Sequence, residues 1–262
     1  MSPFSNIHLA SFKNLCRVLA LLVLGLGADS ARAQENLPHL IKKIQPAVVT
    51  VIGFNANGKV IRLGSGFFIN DHGQIITNGH VIYGVARAEV KTADGAHYPL
   101  KVMVAEDREA DLVKLVAEGL QGNRNYLPIA PILPEVGERV VVVGSPLGLE
   151  QTVSDGMVSG IRHIPGRGEI LQVSAPVSPG SSGGPVANLK GEVVGVATFQ
   201  MGRGQNLNFA IPGKRVAALR DFPPRPLAEI REEETPKSQP GMKPSLPPRP
   251  KVLVPPPRLQ LP

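Results

Sequence analysis

Residues 48–81 read VVTVIGFNANGKVIRLGSGFFINDHGQIITNGHV. Short runs in this stretch are rich in β-branched and aromatic residues, and they follow the two-residue period of a β-strand. Glycine and asparagine punctuate the runs at Gly53, at Asn57–Gly58 and at 71–73, which is typical of tight turns. The stretch therefore predicts several short strands joined by turns.

The rest of the middle of the chain continues this pattern. Glycine and proline are frequent, with 28 and 26 of the 262 residues, and they favour turns over long helices. About a dozen short strands without intervening helices predict an all-β barrel or sandwich. Short helices are predicted only at 35–45 and 214–221, and a link between two halves is predicted near 128–134.

The first 33 residues have the pattern of a secretory signal peptide. Lys13 and Arg17 precede an apolar run, and Ala31–Arg32–Ala33 supplies small residues at the two positions that a signal peptidase reads. Cleavage is expected before Gln34, which predicts a periplasmic or secreted protein. The alternative is an uncleaved anchor helix, but the apolar run is too short for a membrane span.

Residues 223–262 form a second compositional break. They contain 13 prolines and show no apolar periodicity, so a disordered or polyproline-like tail is expected after a folded domain at 34–222. From Pro236 onward there are five basic side chains and no acidic one. This charge pattern suits weak attraction to an anionic envelope surface.

Charge and cysteine content exclude other classes of protein. The net charge of +7 divides into +2 for residues 1–33, +3 for 223–262 and +2 for the 189 residues between. A nearly neutral folded domain argues against nucleic acid as a partner. The single cysteine, Cys16, lies in the leader, which excludes an internal disulfide and a cysteine metal cage.

Residues 178–185, SPGSSGGP, carry the clearest chemical signal. A nucleophilic serine needs an exposed hydroxyl with backbone N–H groups aimed at one point, and the glycines permit the required backbone angles. Alone, such a stretch is as often a simple turn. His80 directly after a predicted strand and Asp111 at the start of another supply the partners of a triad, in the order used by the chymotrypsin architecture.

The chain resembles a trypsin-like serine peptidase of the HtrA/Deg kind over about residues 40–216. The segments that carry the resemblance are GSGFFI (64–69), ITNGHV (76–81), DLV (111–113), GSPLG (144–148), GSSGGP (180–185) and the closing strand NFAIP (208–212). The resemblance implies two six-stranded antiparallel β-barrels with the active site between them.

The same resemblance implies residue roles. Ser182 would be the nucleophile, His80 the general base and Asp111 the residue that orients the imidazole. Backbone N–H groups of Gly180 and Ser182 would form the oxyanion hole. The substrate pocket would be bordered by Pro176, Val177, Val196, Ala197 and Thr198. Without an acidic residue there, the pocket should favour small or medium apolar side chains.

Two assignments have competitors in the sequence. Asp107 competes with Asp111, but only Asp111 begins the Asp-Leu-Val strand. Ser181 competes with Ser182, and the family pattern favours Ser182. Ser65 and Ser145 are expected to be turn residues.

These observations predict an exported serine endopeptidase that acts on unfolded or misfolded polypeptides, without metal or cofactor. The resemblance also implies that the protein can form trimers. HtrA/Deg proteins usually carry a PDZ domain, and the stretch after Pro212 is expected to be too short for one. The alternative is a catalytically silent or weakly active scaffold that binds proteins through the same fold and the proline-rich tail. The complete triad argues against this alternative.

Overall fold

The structure, a computed structural model, describes residues 37–120, 122, 125–145, 151–165, 168–200 and 208–230. The predicted signal peptide, the cleavage site at Gln34, the segment 146–150 and the tail beyond residue 230 lie outside the described residues. Among the described helices, none is both long enough and apolar enough to cross a membrane.

The all-β prediction is confirmed, and the strands form two barrels. Helix α1 (37–44) and a short 3₁₀ turn, Gln45–Ala47, lead into the first barrel. Its strands β1 to β6 are Val48–Phe54, Val60–Phe68, Gln74–Asn78, Arg87–Lys91, His97–Asp107 and Leu112–Ala117. They pair antiparallel in the order β5-β4-β1-β2-β3-β6, and β5–β6 pairing closes the barrel. Helix α2, Gly79–Ile82, follows β3.

The second barrel follows after a link that runs to residue 138. Its strands β7 to β12 are Arg139–Gly144, Thr152–Ile164, Gly168–Val173, Pro185–Asn188, Val193–Gln200 and Asn208–Pro212. They close in the order β10-β11-β12-β9-β8-β7. Helix α3, Gly213–Ala217, comes directly after β12 and is shorter than the helix predicted over 214–221.

Apolar side chains form a core in each barrel and a third core between the barrels. We call this third cluster the interbarrel core. It joins first-barrel residues such as Ala110 and Leu112 to second-barrel residues such as Val196 and Val216. Because the facing surfaces of both barrels are buried in this core, the barrels are held against each other. The loop that carries Asp111 lies at their junction.

The folded domain extends beyond the boundary predicted at Phe222. Strand β13, Arg225–Pro226, pairs antiparallel with Val102 and Met103 of β5, and a 3₁₀ turn at Leu227–Glu229 follows. Leu227 and Ile230 are 4% and 6% exposed and belong to the core of the first barrel. The sequence concealed this because the apolar residues lie singly among prolines, and an edge strand tolerates proline. The first 8 residues of the predicted tail, 223–230, are therefore part of the fold.

Candidate active site

Pairing between β3 and β6 brings His80 and Asp111 together. Asn78, the last residue of β3, lies opposite Leu112, the first residue of β6. His80 follows β3 within helix α2, and Asp111 immediately precedes β6. The register of one strand pair therefore places the two side chains side by side, although 31 positions separate them.

The carboxylate of Asp111 contacts His80 at two points, the imidazole ring and the backbone N–H. Asp111 Oδ2 lies 2.6 Å from His80 Nδ1, and Asp111 Oδ1 accepts a hydrogen bond of 2.8 Å from the backbone N–H of His80. The Asp111 side chain is 18% exposed, whereas that of His80 is 49% exposed. With Nδ1 engaged by the carboxylate, Nε2 is the ring nitrogen left to exchange a proton with a reacting group.

Asp111 adopts a strained backbone conformation to make these contacts. Its φ is +60°, the one positive value among the described non-glycine residues. Asp and Asn tolerate this left-handed region better than most residue types. The carbonyl oxygen of Asp111 accepts hydrogen bonds from the Gly79 N–H and from Asn78 Nδ2, each at 3.0 Å. These bonds tie the strained residue to the end of β3.

The ring of Tyr83 packs against Gly79 at the start of helix α2. A Cβ at Gly79 would collide with the Tyr83 ring, so glycine is the residue that fits directly before His80. Burial of Tyr83, with the nearby carboxylate of Glu106, raises the pKa of its phenol well above the ordinary value of tyrosine. The phenol therefore stays neutral at physiological pH and acts as an apolar wall with one polar end.

The nucleophile candidate Ser182 lies in the loop between β9 and β10. Its hydroxyl donates a hydrogen bond of 2.7 Å to the carbonyl oxygen of Thr198 on β11. Within the described part of the chain, no hydrogen bond joins Ser182 to His80. The competing serine, Ser181, is buried against Gly144, whereas Ser182 is partly exposed. The placement thus supports Ser182 over Ser181.

Within the described residues, some backbone N–H groups of this loop have acceptors and others do not. Gly183 N donates to Ala197 O at 2.7 Å, and Ser181 N donates to Ser178 O at 2.9 Å. The N–H groups of Gly180 and Ser182, the predicted oxyanion pair, donate to none of the described residues. Gly180 has a φ of +97°, which glycine adopts without strain.

Ser65 supports the nucleophile loop, a role that the sequence analysis missed. It lies on β2 rather than in a turn and is fully buried. Its Oγ donates to Gly180 O at 2.7 Å and accepts from Ser145 N at 2.9 Å. Its backbone N–H donates to Ser182 O at 2.8 Å, and its own carbonyl accepts from Thr77 Oγ1 at 2.7 Å. A lone hydroxyl within the apolar strand around GSGFF was the available signal.

Asp107, the competing acid, contacts Ala110 and Arg215. Its Oδ1 accepts a hydrogen bond of 3.0 Å from Ala110 N, and its Oδ2 accepts one of 2.9 Å from Arg215 Nε. Asp107 therefore braces the turn that carries Asp111, and Asp111 is the acid that contacts the imidazole.

The predicted pocket residues are mostly buried. Val177 and Ala197 pack in the second-barrel core, and Val196 packs in the interbarrel core. Thr198 is also buried and contributes its carbonyl oxygen to Ser182, while Pro176 is exposed. The side chains of Val177, Val196 and Ala197 are therefore buried in cores rather than exposed on an open surface. The neighbouring segment 201–207 lies outside the described residues.

A family model for the trypsin-like peptidase domain matches residues 64–196. The chain belongs to the trypsin-like peptidase family. The matched region contains His80, Asp111 and Ser182, the three residues that the sequence motifs indicate. The resemblance predicted from the sequence is thereby confirmed.

This trypsin-like peptidase is homologous to the HtrA and DegS serine proteases. It is 34% identical to serine protease HTRA1 of Xenopus laevis over 209 residues, which cover 72% of this chain and 43% of the relative. It is 32% identical to serine endoprotease DegS of Escherichia coli strain K12 over 213 residues, or 74% and 58% of the two chains. The chain spans less than half the length of the curated HTRA1 relatives that it matches.

A solved structure shows the same architecture. The serine endoprotease from Yersinia pestis superposes with a TM-score of 0.60 at 31% sequence identity, covering 68% of this chain and 63% of that chain. The two-barrel description of the trypsin-like peptidase therefore agrees with an independently solved fold.

Proposed function

We propose that this protein is a serine endopeptidase in which Ser182, His80 and Asp111 form the catalytic triad. The observation that carries the proposal is the 2.6 Å contact between His80 Nδ1 and Asp111 Oδ2. In a serine peptidase this contact orients the imidazole and stabilises its protonated form. The glycine-bounded loop around Ser182 supplies the nucleophile, and its Gly180 and Ser182 N–H groups donate to none of the described residues.

The reaction follows from these groups. Ser182 Oγ attacks the carbonyl carbon of the scissile peptide while its proton passes to His80 Nε2. The backbone N–H groups of Gly180 and Ser182 stabilise the negative oxygen of the tetrahedral intermediate. The C–N bond then breaks, and His80 returns the proton to the leaving amine. Water attacks the acyl-enzyme in the same way, with His80 again as base, and releases the acid and free Ser182.

The position of the Ser182 hydroxyl adds one step before attack. In the structure the hydroxyl donates to Thr198 O, so it must turn about its Cα–Cβ bond to reach His80. A polypeptide bound along β11 would compete for the Thr198 carbonyl with its own N–H groups. Substrate binding then favours the rotamer that attacks.

The proposal includes a substrate class and a location. A cleft that binds substrate main chain requires an extended segment, which unfolded or misfolded polypeptides provide. The leader pattern at 1–33 supports export to the periplasm or the medium, with a mature start at Gln34. Trimer formation and weak contact of the basic tail with an envelope surface remain predictions from the resemblance and the charge pattern.

Labelling with a fluorophosphonate tests the proposal. The mature protein should be labelled covalently, and mass spectrometry should map the label to Ser182. The same preparation should cleave casein, and intact-mass measurement of exported protein should give Gln34 as its first residue. A protein that folds but neither labels nor cleaves would instead favour the silent scaffold.

A further inference from the structure

Asp107 and Arg215 form a contact that crosses from the second barrel to the turn carrying Asp111. Arg215 Nε donates to Asp107 Oδ2 at 2.9 Å, and Arg215 Nη2 lies 2.7 Å from the same oxygen. The other oxygen of Asp107 accepts the N–H of Ala110 at 3.0 Å. One carboxylate thus connects Arg215 to the residue that precedes Asp111.

Arg215 belongs to the second barrel by its surroundings. It lies on α3, directly after the closing strand β12. A Cβ at Gly213 would meet the carbonyl oxygen of Val193, so α3 sits tightly against β11. Val216, the next residue, is buried in the interbarrel core with Ala110 and Leu112, the two neighbours of Asp111.

The turn at Asp111 needs support from outside. Its positive φ is unfavourable for a non-glycine residue and persists only where surrounding contacts determine it. The local hydrogen bond from Asp111 N to Arg108 O is long, at 3.3 Å. The contact between Arg215 and Asp107 is about three-quarters buried on each side, at 24% and 23% exposure. It is therefore less screened by solvent than a surface ion pair.

We propose that Arg215 is a positioning residue for the triad. Through Asp107 it fixes the Asp111 turn, so the alignment of Asp111 with His80 depends on the docking of the second barrel against the first. This inference rests on the proposed peptidase function. It assigns no contact with substrate to Arg215.

The test compares Arg215→Gln and Asp107→Asn with their double variant. Asp107→Asn keeps an oxygen for Ala110 N but loses the charge that attracts Arg215. Lys214→Gln is the matched control, because Lys214 lies on the same helix and pairs with Glu169 of β9 inside the second barrel. For each protein, kcat and KM on a short peptide, the rate of fluorophosphonate labelling and the thermal midpoint are measured.

We expect Arg215→Gln to lower kcat by about 10- to 100-fold, since small misplacements of catalytic groups have costs of this size. KM should stay close to the wild-type value. The double variant should be no slower than the slower single variant, because the two residues act through one contact. Lys214→Gln should keep the wild-type kcat. Wild-type kcat in Arg215→Gln, an equal loss in Lys214→Gln, or multiplicative losses in the double variant would each overturn the inference.

Two further measurements separate positioning from stability and from the proposed function. Arg215→Lys keeps the charge but loses the planar fork, so it should fold and show an intermediate kcat, and it replaces Arg215→Gln if that variant does not fold. In a Ser182→Ala background, the downfield proton signal of the His80–Asp111 hydrogen bond should weaken when Arg215→Gln is added. An unchanged signal would refute the positioning role. An inactive wild type that still shows this Arg215-dependent signal would refute the peptidase function alone.

Discussion

The hydroxyl oxygen of Ser182 lies 2.7 Å from the carbonyl oxygen of Thr198 and donates its proton there. A hydrogen bond of this kind contributes a net of about 0.5–1.5 kcal/mol, which lowers the population of the attacking rotamer by about tenfold at most. The contact therefore only weakly favours the observed rotamer of Ser182, and the rotamer that the proposed mechanism requires stays accessible.

Ser182→Ala should abolish peptide cleavage and fluorophosphonate labelling. The change removes one hydroxyl and its bond to Thr198, so the free energy of unfolding should shift by only about 1 kcal/mol. Casein cleavage and denaturant unfolding measure the two effects. Ser181→Ala is the comparison, because its hydroxyl is buried beside Gly144 and takes no part in attack. Cleavage at the wild-type rate in Ser182→Ala would sink the assignment.

Asp111→Asn should lower kcat by about four orders of magnitude, the size of the effect when a triad loses the acid that fixes the histidine tautomer. Asp107→Asn should have a much smaller effect, because Asp107 contacts Ala110 and Arg215 rather than His80. Steady-state kinetics on one peptide substrate compare the two variants. A larger loss in Asp107→Asn would reverse the roles of the two acids.

Ser65→Ala should lower kcat by about tenfold or more, because the oxyanion loop loses its anchor at Gly180 O and such loops contribute strongly to the rate. It should also destabilise the fold by about 1–3 kcal/mol, since buried partners are left unpaired. Thr77→Val is the matched control: it removes a neighbouring buried hydroxyl but leaves the bond from Ser65 Oγ to Gly180 intact. Equal effects of the two variants on kcat would show that Ser65 acts only through stability.

Truncation after Ile230 should leave stability unchanged, whereas truncation after Phe222 should cost about 3–6 kcal/mol. The second truncation exposes the sites of Leu227 and Ile230, and each such side chain contributes about 1.5–3 kcal/mol on burial. It also removes the ion pair between Arg225 and Glu106. Denaturant unfolding of the two proteins provides the measurement. Equal stability would place the end of the fold at Phe222 again.

Stability should fall as pH rises above about 10, the ordinary pKa of tyrosine, partly because of Tyr83. Its raised pKa means that the folded protein keeps the phenol proton where the unfolded chain loses it. The unfolded state then binds fewer protons, so unfolding becomes easier with increasing pH. Tyr83→Phe should flatten this part of the stability profile. An identical slope in the variant would assign the effect to other groups.

The sequence predicted regular elements and a candidate triad from local patterns. Strand β7, Arg139–Gly144, is an example, since four consecutive valines favour a buried strand. The proposed roles of His80, Asp111 and Ser182 rest on the glycines and strand starts of the segments that contain them. The sequence predicted each partner separately, and the register of β3 against β6 then brought two of them into contact.

Features that depend on contacts between distant segments were not predicted. Ser65 looks like a turn residue by type, and its role appears only when Gly180 and Ser145 fold around it. Strand β13 has only two residues and one of them is proline, so no periodic signal exists. The resting bond of Ser182 to Thr198 depends on a rotamer, which sequence patterns do not encode.

The position of strand β13 in the sequence also determines when the first barrel can be completed during synthesis. Ribosomes make the first barrel first, but residues 225–230, which pair with β5 and fill the core of the first barrel, are made only after the whole second barrel. Until they emerge, β5 presents an open edge at Val102 and Met103, a site where another chain could pair. The first barrel is therefore completed by a segment that is synthesised after the second barrel. A nascent chain halted before residue 223 would carry nearly every strand and still be prone to aggregation.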